Sequence, residues 1–300
     1  MGSVTQPPQW KSWLLATRPR TLPAAAMPVC LAVCLAVHQG VAWQPMAAWL
    51  CLLFALLIQI GTNFSNDLED FRNGADNEKR LGPGRAVQSG WISERTMSRA
   101  VWLVFGMAFA TGSLLHFYTE GYWIFVLGIL SILCGYAYTG GPYPLGYHGL
   151  GDLFSLLFFG LVAVMATYFI QSGELAWTAW WTGLAVGGLT TNLLVVNNHR
   201  DMDTDRVAGK RTLVVRWGRG FAEAEYICFV AIAWLWAPVL FWGNDSSAWV
   251  FAGWLAIPFW VRGIRALRRA QSREDYHTVL KLTSLALIVF GSASSIGLLV

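Results

Sequence analysis

Nine apolar runs alternate with short polar segments along the chain, at about residues 21–38, 46–66, 100–117, 121–139, 152–171, 177–198, 221–242, 247–264 and 279–299. A helix that crosses the hydrocarbon layer of a bilayer needs roughly 20 mainly apolar residues. The pattern therefore predicts an all-α integral membrane protein with nine transmembrane helices. The segments between the runs are too short for a separate soluble domain, so residues 1–300 read as one transmembrane unit, with 1–14 a flexible cytoplasmic N-terminus. The first run reads as a span and not as a cleavable signal. Pro19, Pro23 and Pro28 lie in or just before it, and no small-x-small cleavage site leads to a polar mature start.

Composition agrees with this reading. The chain is 55% hydrophobic and 13% charged, where a soluble domain carries about 25% charged residues. The basic residues set the orientation. All 21 Lys and Arg lie within Lys11–Arg20, Arg72–Arg99, Arg200–Arg219 and Arg262–Lys281, and the alternate loops "HQGVAWQP", "YTEG", "QSGELA" and "GNDSS" hold none. Basic residues concentrate on the cytoplasmic side of a membrane. The N-terminus is thus expected inside and the C-terminus outside, in the cell membrane. The net charge of +4 is then a topological signal and gives no reason to expect nucleic-acid binding. The five cysteines all fall inside apolar runs and read as small core residues.

Two helix ends carry polar residues that are costly where they stand. At the end of the second run, Asn63, Asn66, Asp67 and Asp70 are spaced i, i+3, i+4 and i+7, which places them on one helical face. This is the C-terminal end of the helix, where the dipole is negative and disfavours carboxylates. At the end of the sixth run, Asn197, Asp201 and Asp205 repeat the arrangement at i, i+4 and i+8, beside Asn198. Laying Asn66 on Asn197 matches Asp70 with Asp201 and Arg80 with Arg211, while Asp205 falls opposite Gly74. Carboxylates and amides without clustered Cys or His favour a hard cation with oxygen ligands, and Mg²⁺ is typical where phosphate completes the shell. The loops that follow supply Lys79, Arg80 and Arg85, then Arg206, Lys210 and Arg211, as phosphate-binding groups. A transporter is the non-enzyme alternative. It would place charge near the bilayer midplane, whereas these charges gather at one face.

The stretches "NDLEDFRNGADNEKRLGPGRAVQSG", "AYTGGPYPLGYHGLGDLFSLLFFG" and "NNHRDMDTDRVAGKRTLVVRWG" together resemble the UbiA-type intramembrane prenyltransferases. The branch of that family acting on 1,4-dihydroxy-2-naphthoate is the most similar, and "RPRTLPAAAMPV" resembles its opening segment. The resemblance spans roughly residues 15–220. It implies a nine-helix bundle open laterally to lipid, with a polar cavity capped on the cytosolic side. It also implies Mg²⁺-dependent transfer of a polyprenyl group from an allylic diphosphate to the naphthoate, with loss of CO₂, giving demethylmenaquinone. A phytyl donor, or 4-hydroxybenzoate or homogentisate as acceptor, would use nearly the same motifs.

Residue by residue, the resemblance makes Asp67, Asp70, Asp201 and Asp205 the metal-holding catalytic carboxylates. Asn66 and Asn197 accompany them, and Asp76 stands near the Gly74 position where many relatives place a further aspartate. Tyr138 is a candidate to stabilise an allyl cation, and Tyr143 to orient the acceptor. Arg18 is placed to meet a substrate carboxylate. Asn63, Asn198, Arg80, Arg85, Lys210 and Arg211 complete the expected substrate-binding set. The expected partners are the polyprenyl diphosphate, the aromatic acceptor and the lipid bilayer, with no obligate protein partner.

Overall fold

The computed structural model describes residues 7–74, 84–244 and 246–300, and these form helices joined by short loops. A short helix α1 (Gln9–Ala16) precedes α2 (Pro23–His38), α3 (Pro45–Arg72), α4 (Glu94–Leu115) and α5 (Trp123–Ala137). Then follow α6 (Gly151–Ser172), α7 (Trp177–Val207), α8 (Arg219–Gly243), α9 (Ala248–Arg269) and α10 (Arg273–Leu299). Each of the nine apolar runs coincides with one helix from α2 to α10. Seven of these, α3, α4 and α6–α10, are long and apolar enough to cross a membrane on their own. The first run meets that criterion only together with the helical segment before it, Gln9–Thr21, from which it bends by 51°, and α5 has 15 residues.

Local chemistry accounts for several of the helix starts. Pro23 and Pro45 stand in the first turns of α2 and α3, where a missing N–H costs nothing. Ser93 caps α4 by accepting from Thr96 N, and Ser272 with Asp275 forms a reciprocal capping box at the start of α10. Polar residues do not stop α3 or α7. With 28 and 31 residues, these helices run about 42 and 46 Å at 1.5 Å per residue. Both exceed the roughly 30 Å hydrocarbon thickness, so each is long enough to extend past it.

Helix α7 forms the centre: 78% of its most apolar stretch is buried, against 22–50% for the other long helices. It packs on α6, α8 and α10, while α2 packs on α3, α6 and α10. The α6–α7 crossing depends on glycine. A Cβ on Gly160 would lie 2.7 Å from the Gly187 Cα, and one on Gly187 would lie 2.5 Å from the Gly160 Cα. The backbones are therefore in contact, as small residues permit between membrane helices. Gly160 sits in Leu156–Val162, a π-helical stretch of α6. Around α7 lies the main core, in which Trp236 packs edge-on to Phe290 and donates to Thr182 Oγ1 at 2.9 Å.

Candidate active site

The C-terminal turns of α3 and α7 meet the loop between α5 and α6, and Asp70 is the point where they join. Its carboxylate, 4% exposed, accepts from Tyr147 Oη at 3.0 Å, Lys210 Nζ at 2.9 Å and Arg85 Nη2 at 3.2 Å. These donors come from three separate segments, so one helical carboxylate ties three loops together. Lys210 Nζ also stands 3.8 Å from Asp205 Oδ1 and 4.6 Å from the centre of the Tyr147 ring. A single ammonium thus bridges the acidic ends of α3 and α7.

The turn that presents Lys210 is a Schellman motif. Lys210 N donates to Asp205 O at 2.9 Å and Gly209 N to Arg206 O at 3.2 Å. Gly209 has φ +75°, a conformation that glycine adopts without steric penalty. The reversal carries the Lys210 side chain back over the helix end. The next residue, Arg211, donates its backbone N–H to Tyr147 O at 2.8 Å, and its side chain is exposed.

Asp67 and Asp201 are placed differently. Both oxygens of Asp67 accept backbone amides, from Ala86 at 2.9 Å and Val87 at 3.0 Å. This clamp fixes the segment that begins at Arg85 against α3 and so sets the reach of Arg85 to Asp70. Both oxygens of Asp201 accept from the neighbouring Arg200, at 2.7 and 2.6 Å, in a buried bidentate pair.

Below the carboxylates lies a cavity of about 220 Å³. Arg18, Gln59, Asn63, Asn66, Tyr138 and Asn197 line its polar end, and Phe154, Phe158 and Phe159 line part of its apolar wall. Asn66 Oδ1 accepts from Thr139 Oγ1 at 2.7 Å, and Asn197 Nδ2 donates to Leu193 O. Arg18 has φ +52° at the bend into α2, an uncommon conformation for a side-chain-bearing residue, and Arg18 Nη2 lies 3.5 Å from Asn63 O. The Asn63 amide is held by Thr17 O and Thr21 Oγ1. Asn63 therefore pins the α1–α2 bend as well as facing the cavity.

The remaining expectations divide. Asn198 points to Asp152 Oδ1 at 3.3 Å and not to the carboxylate cluster. Tyr143 is exposed and stacks on His148 with ring centres 3.6 Å apart. His199 Nδ1 pairs with the Tyr276 hydroxyl. Asp76 and Arg80 lie outside the described residues. Sequence reasoning missed Tyr147, Thr139, Gln59 and Arg200. Tyr147 sits in a short 3₁₀ helix (Leu145–His148) and Thr139 in the turn after α5, segments too short to show periodicity, although both fall within the glycine- and tyrosine-rich stretch noted above.

The donor set is oxygen-only: carboxylates, backed by the amides of Asn66 and Asn197. Among the described residues no three Asp, Glu, His or Cys converge to enclose a metal. Asp70 and Asp205 share one cation, Lys210. Two carboxylates that already meet around a positive charge fit a hard divalent cation whose shell is completed by substrate oxygens.

Residues 25–285 match the UbiA prenyltransferase family. The chain is 34% identical over 278 residues to the 1,4-dihydroxy-2-naphthoate octaprenyltransferase of Escherichia coli, covering 91% of this chain and 90% of that one. It is 33% identical to the protein of the same name from Mycobacterium tuberculosis, covering 94% of each. The fold is similar to that of a UbiA homologue from Archaeoglobus fulgidus solved with DMAPP and Mg²⁺. That match has a TM-score of 0.66 at 15% identity, over 95% of this chain and 99% of that one.

Proposed function

The chain belongs to the UbiA prenyltransferase family, and from that premise we propose that it transfers a polyprenyl group from an allylic diphosphate to 1,4-dihydroxy-2-naphthoate, releasing CO₂ and diphosphate. The immediate product is the hydroquinone form of demethylmenaquinone, and the reaction depends on Mg²⁺. The observation that carries this reading is the meeting of Asp70 and Asp205 at Lys210 above an apolar cavity lined by Asn66 and Asn197. This occurs in a chain one-third identical, over nine-tenths of its length, to enzymes named for that reaction.

In the reaction, the allylic C–O bond breaks and its electron pair leaves with the diphosphate. The ring carbon bearing the carboxylate attacks the allyl cation. The bond to CO₂ then breaks and returns its pair to the ring. Asp70 and Asp205, with Asp67 and Asp201 beside them, would hold the Mg²⁺, which would supply Lewis-acid neutralisation of the leaving diphosphate. Arg85 and Lys210 donate to the diphosphate oxygens, and the Tyr147 hydroxyl orients Asp70. Arg18 meets the acceptor carboxylate. Tyr138 faces the cation, and Phe154, Phe158 and Phe159 exclude the water that would trap it.

The protein is a multi-pass membrane protein. We place its nine helices α2–α10 across the cell membrane, N-terminus cytoplasmic and C-terminus outside, with the active site facing the cytoplasm. The restriction of all 21 Lys and Arg to alternate loops and adjoining helix ends supports this orientation.

The test uses purified protein in lipid, Mg²⁺, the naphthoate and a panel of allylic diphosphates that includes phytyl diphosphate. Prenylated product and CO₂ should form together, and both should disappear with EDTA and in Asp70→Ala and Asp201→Ala. Activity only with 4-hydroxybenzoate would move the chain to another branch. Folded protein inactive with every acceptor would refute the reading.

A further inference from the structure

Gln59 lines the cavity about two helical turns along α3 from Asn66, and its side chain is buried. Its neighbours fix the direction of its amide. Thr21 Oγ1 gives its one proton to Arg18 O at 2.9 Å, so toward any other group it can only accept. Asn63 donates through Nδ2 to Thr17 O at 3.0 Å, which leaves Asn63 Oδ1 as an acceptor. Gln59 Nε2 lies 3.2 Å from Thr21 Oγ1 and 3.4 Å from Asn63 Oδ1. Both positions demand a donor, so the amide cannot turn over without setting its oxygen against two acceptors. The nitrogen is thereby consumed, and Gln59 Oε1 is left toward the cavity with no donor among the described residues. A buried acceptor without a donor is costly. Ala25, Val29, Phe54, Ala55 and Ile58 around it are apolar, and an isoprenoid tail has no proton to offer.

We infer that Gln59 Oε1 accepts a hydrogen bond from the 4-hydroxyl of the naphthoate and thereby selects a dihydroxy acceptor. This rests on the prenyl-transfer reading above and assigns the residue that recognises its acceptor's second hydroxyl. Arg18 lines the same end of the cavity, and its backbone oxygen anchors the Thr21 hydroxyl that fixes Gln59. One network therefore holds a guanidinium for the carboxylate beside a carbonyl for a hydroxyl. The acceptor carries both groups on one ring, with the 4-hydroxyl meta to the carbon that bears the carboxylate. From that position its oxygen does not share the charge that develops when this carbon attacks, whereas the ortho 1-hydroxyl does. The contact is thus made equally before and during transfer, and it lowers KM without raising kcat. A site that pairs a substrate hydroxyl discriminates strongly against an analogue lacking it, because its own polar group is then left unpaired.

The test measures kcat and KM for 1,4-dihydroxy-2-naphthoate, and the competitive inhibition constant of 1-hydroxy-2-naphthoate, which lacks only the 4-hydroxyl. Wild type, Gln59→Met and Gln59→Leu are compared, with melting temperature for each. In Gln59→Met, KM for the naphthoate should rise about tenfold or more, while kcat and the analogue's inhibition constant stay within about threefold of wild type. If Gln59→Met fails to fold, Gln59→Leu is read in the same way. The wild type should itself bind the analogue about tenfold or more weakly than the naphthoate, and that comparison decides the matter should neither variant fold. Equal weakening of both compounds, which loss of support for Thr21 and Asn63 alone would give, would overturn the inference. So would unchanged binding of both, or a loss confined to kcat. Absence of transfer by folded wild type would overturn the prenyl-transfer reading, and this inference with it.

Discussion

Replacing Tyr147 with Phe removes one oxygen and leaves the rest of its ring. The hydroxyl donates to Asp70 Oδ1 at 3.0 Å, and Asp70 is buried. A hydrogen bond to a charged buried group contributes roughly 1.5–3 kcal/mol. If the bond orients Asp70 in the transition state, kcat/KM for prenyl transfer should fall roughly ten- to 150-fold, at about 1.36 kcal/mol per decade. The ring remains under Lys210, at 4.6 Å, so the cation–π contact is retained and the ammonium keeps its position. Steady-state kinetics in lipid, repeated across a Mg²⁺ titration, provide the assay. A defect in Asp70 orientation should also raise the Mg²⁺ concentration needed for half-maximal rate. Tyr147→Leu, which removes the ring as well, should lose more. A Tyr147→Phe enzyme within twofold of wild type at every Mg²⁺ concentration would show that the hydroxyl does not orient Asp70 during turnover.

Two other substitutions test how the site is held. Asp67→Asn replaces one of the two oxygens that accept the Ala86 and Val87 amides with an NH₂ group that cannot accept. It should lower stability by about 1.5–3 kcal/mol, read as reduced resistance to denaturant, and wild-type resistance would rule out the clamp. Gly187→Leu places a Cβ 2.5 Å from the Gly160 Cα and must separate α6 from α7. The expected cost is about 1–3 kcal/mol or more, seen in thermal unfolding, and an unshifted transition would refute the contact.

The apolar periodicity was enough to locate every helix from α2 to α10, because burying or lipid-facing apolar surface is what those runs do. It underestimated the length of α3 and α7. The second and sixth runs were read to 66 and 198, where the hydrophobic residues stop, whereas the helices continue to Arg72 and Val207. Backbone hydrogen bonding does not need apolar side chains. The ends come at Gly74 and Gly209, where φ turns positive. The i, i+3, i+4, i+7 spacing correctly grouped Asn66, Asp67 and Asp70 at one helix end, since that inference needs only helical geometry. It did not reveal their different partners. The alignment of the two acidic motifs matched Asp70 with Asp201, yet the residue sharing Lys210 with Asp70 is Asp205. Asp201 is engaged by its own neighbour, Arg200. A one-dimensional repeat carries spacing but not side-chain direction, and the loops that supply Tyr147 and Thr139 have no spacing to read.

The layering of these groups fixes how an amphiphile can enter. Charge is concentrated in the carboxylates and their Arg and Lys partners at the ends of α3 and α7, with Arg18 at the polar end of the cavity. Neutral amides, Asn66 and Asn197, line the polar end of the cavity, and beyond them the walls become aromatic and aliphatic. A diphosphate head buried among Phe154, Phe158 and Phe159 would be an unpaired charge in an apolar medium, which is prohibitively costly. A long hydrocarbon tail among the carboxylates would forfeit its burial. Only one orientation satisfies both ends of the molecule, with the diphosphate toward Lys210 and the tail toward the membrane interior. On the prenyl-transfer reading proposed above, the allylic C–O bond would then fall near the amide layer and Tyr138, where the surroundings change from charged to apolar. A cation formed there would remain close to the departed diphosphate and shielded from water, with the ring of Tyr138 and the acceptor as its proposed neighbours. The same gradient that orients the donor thus selects which nucleophile the cation can meet.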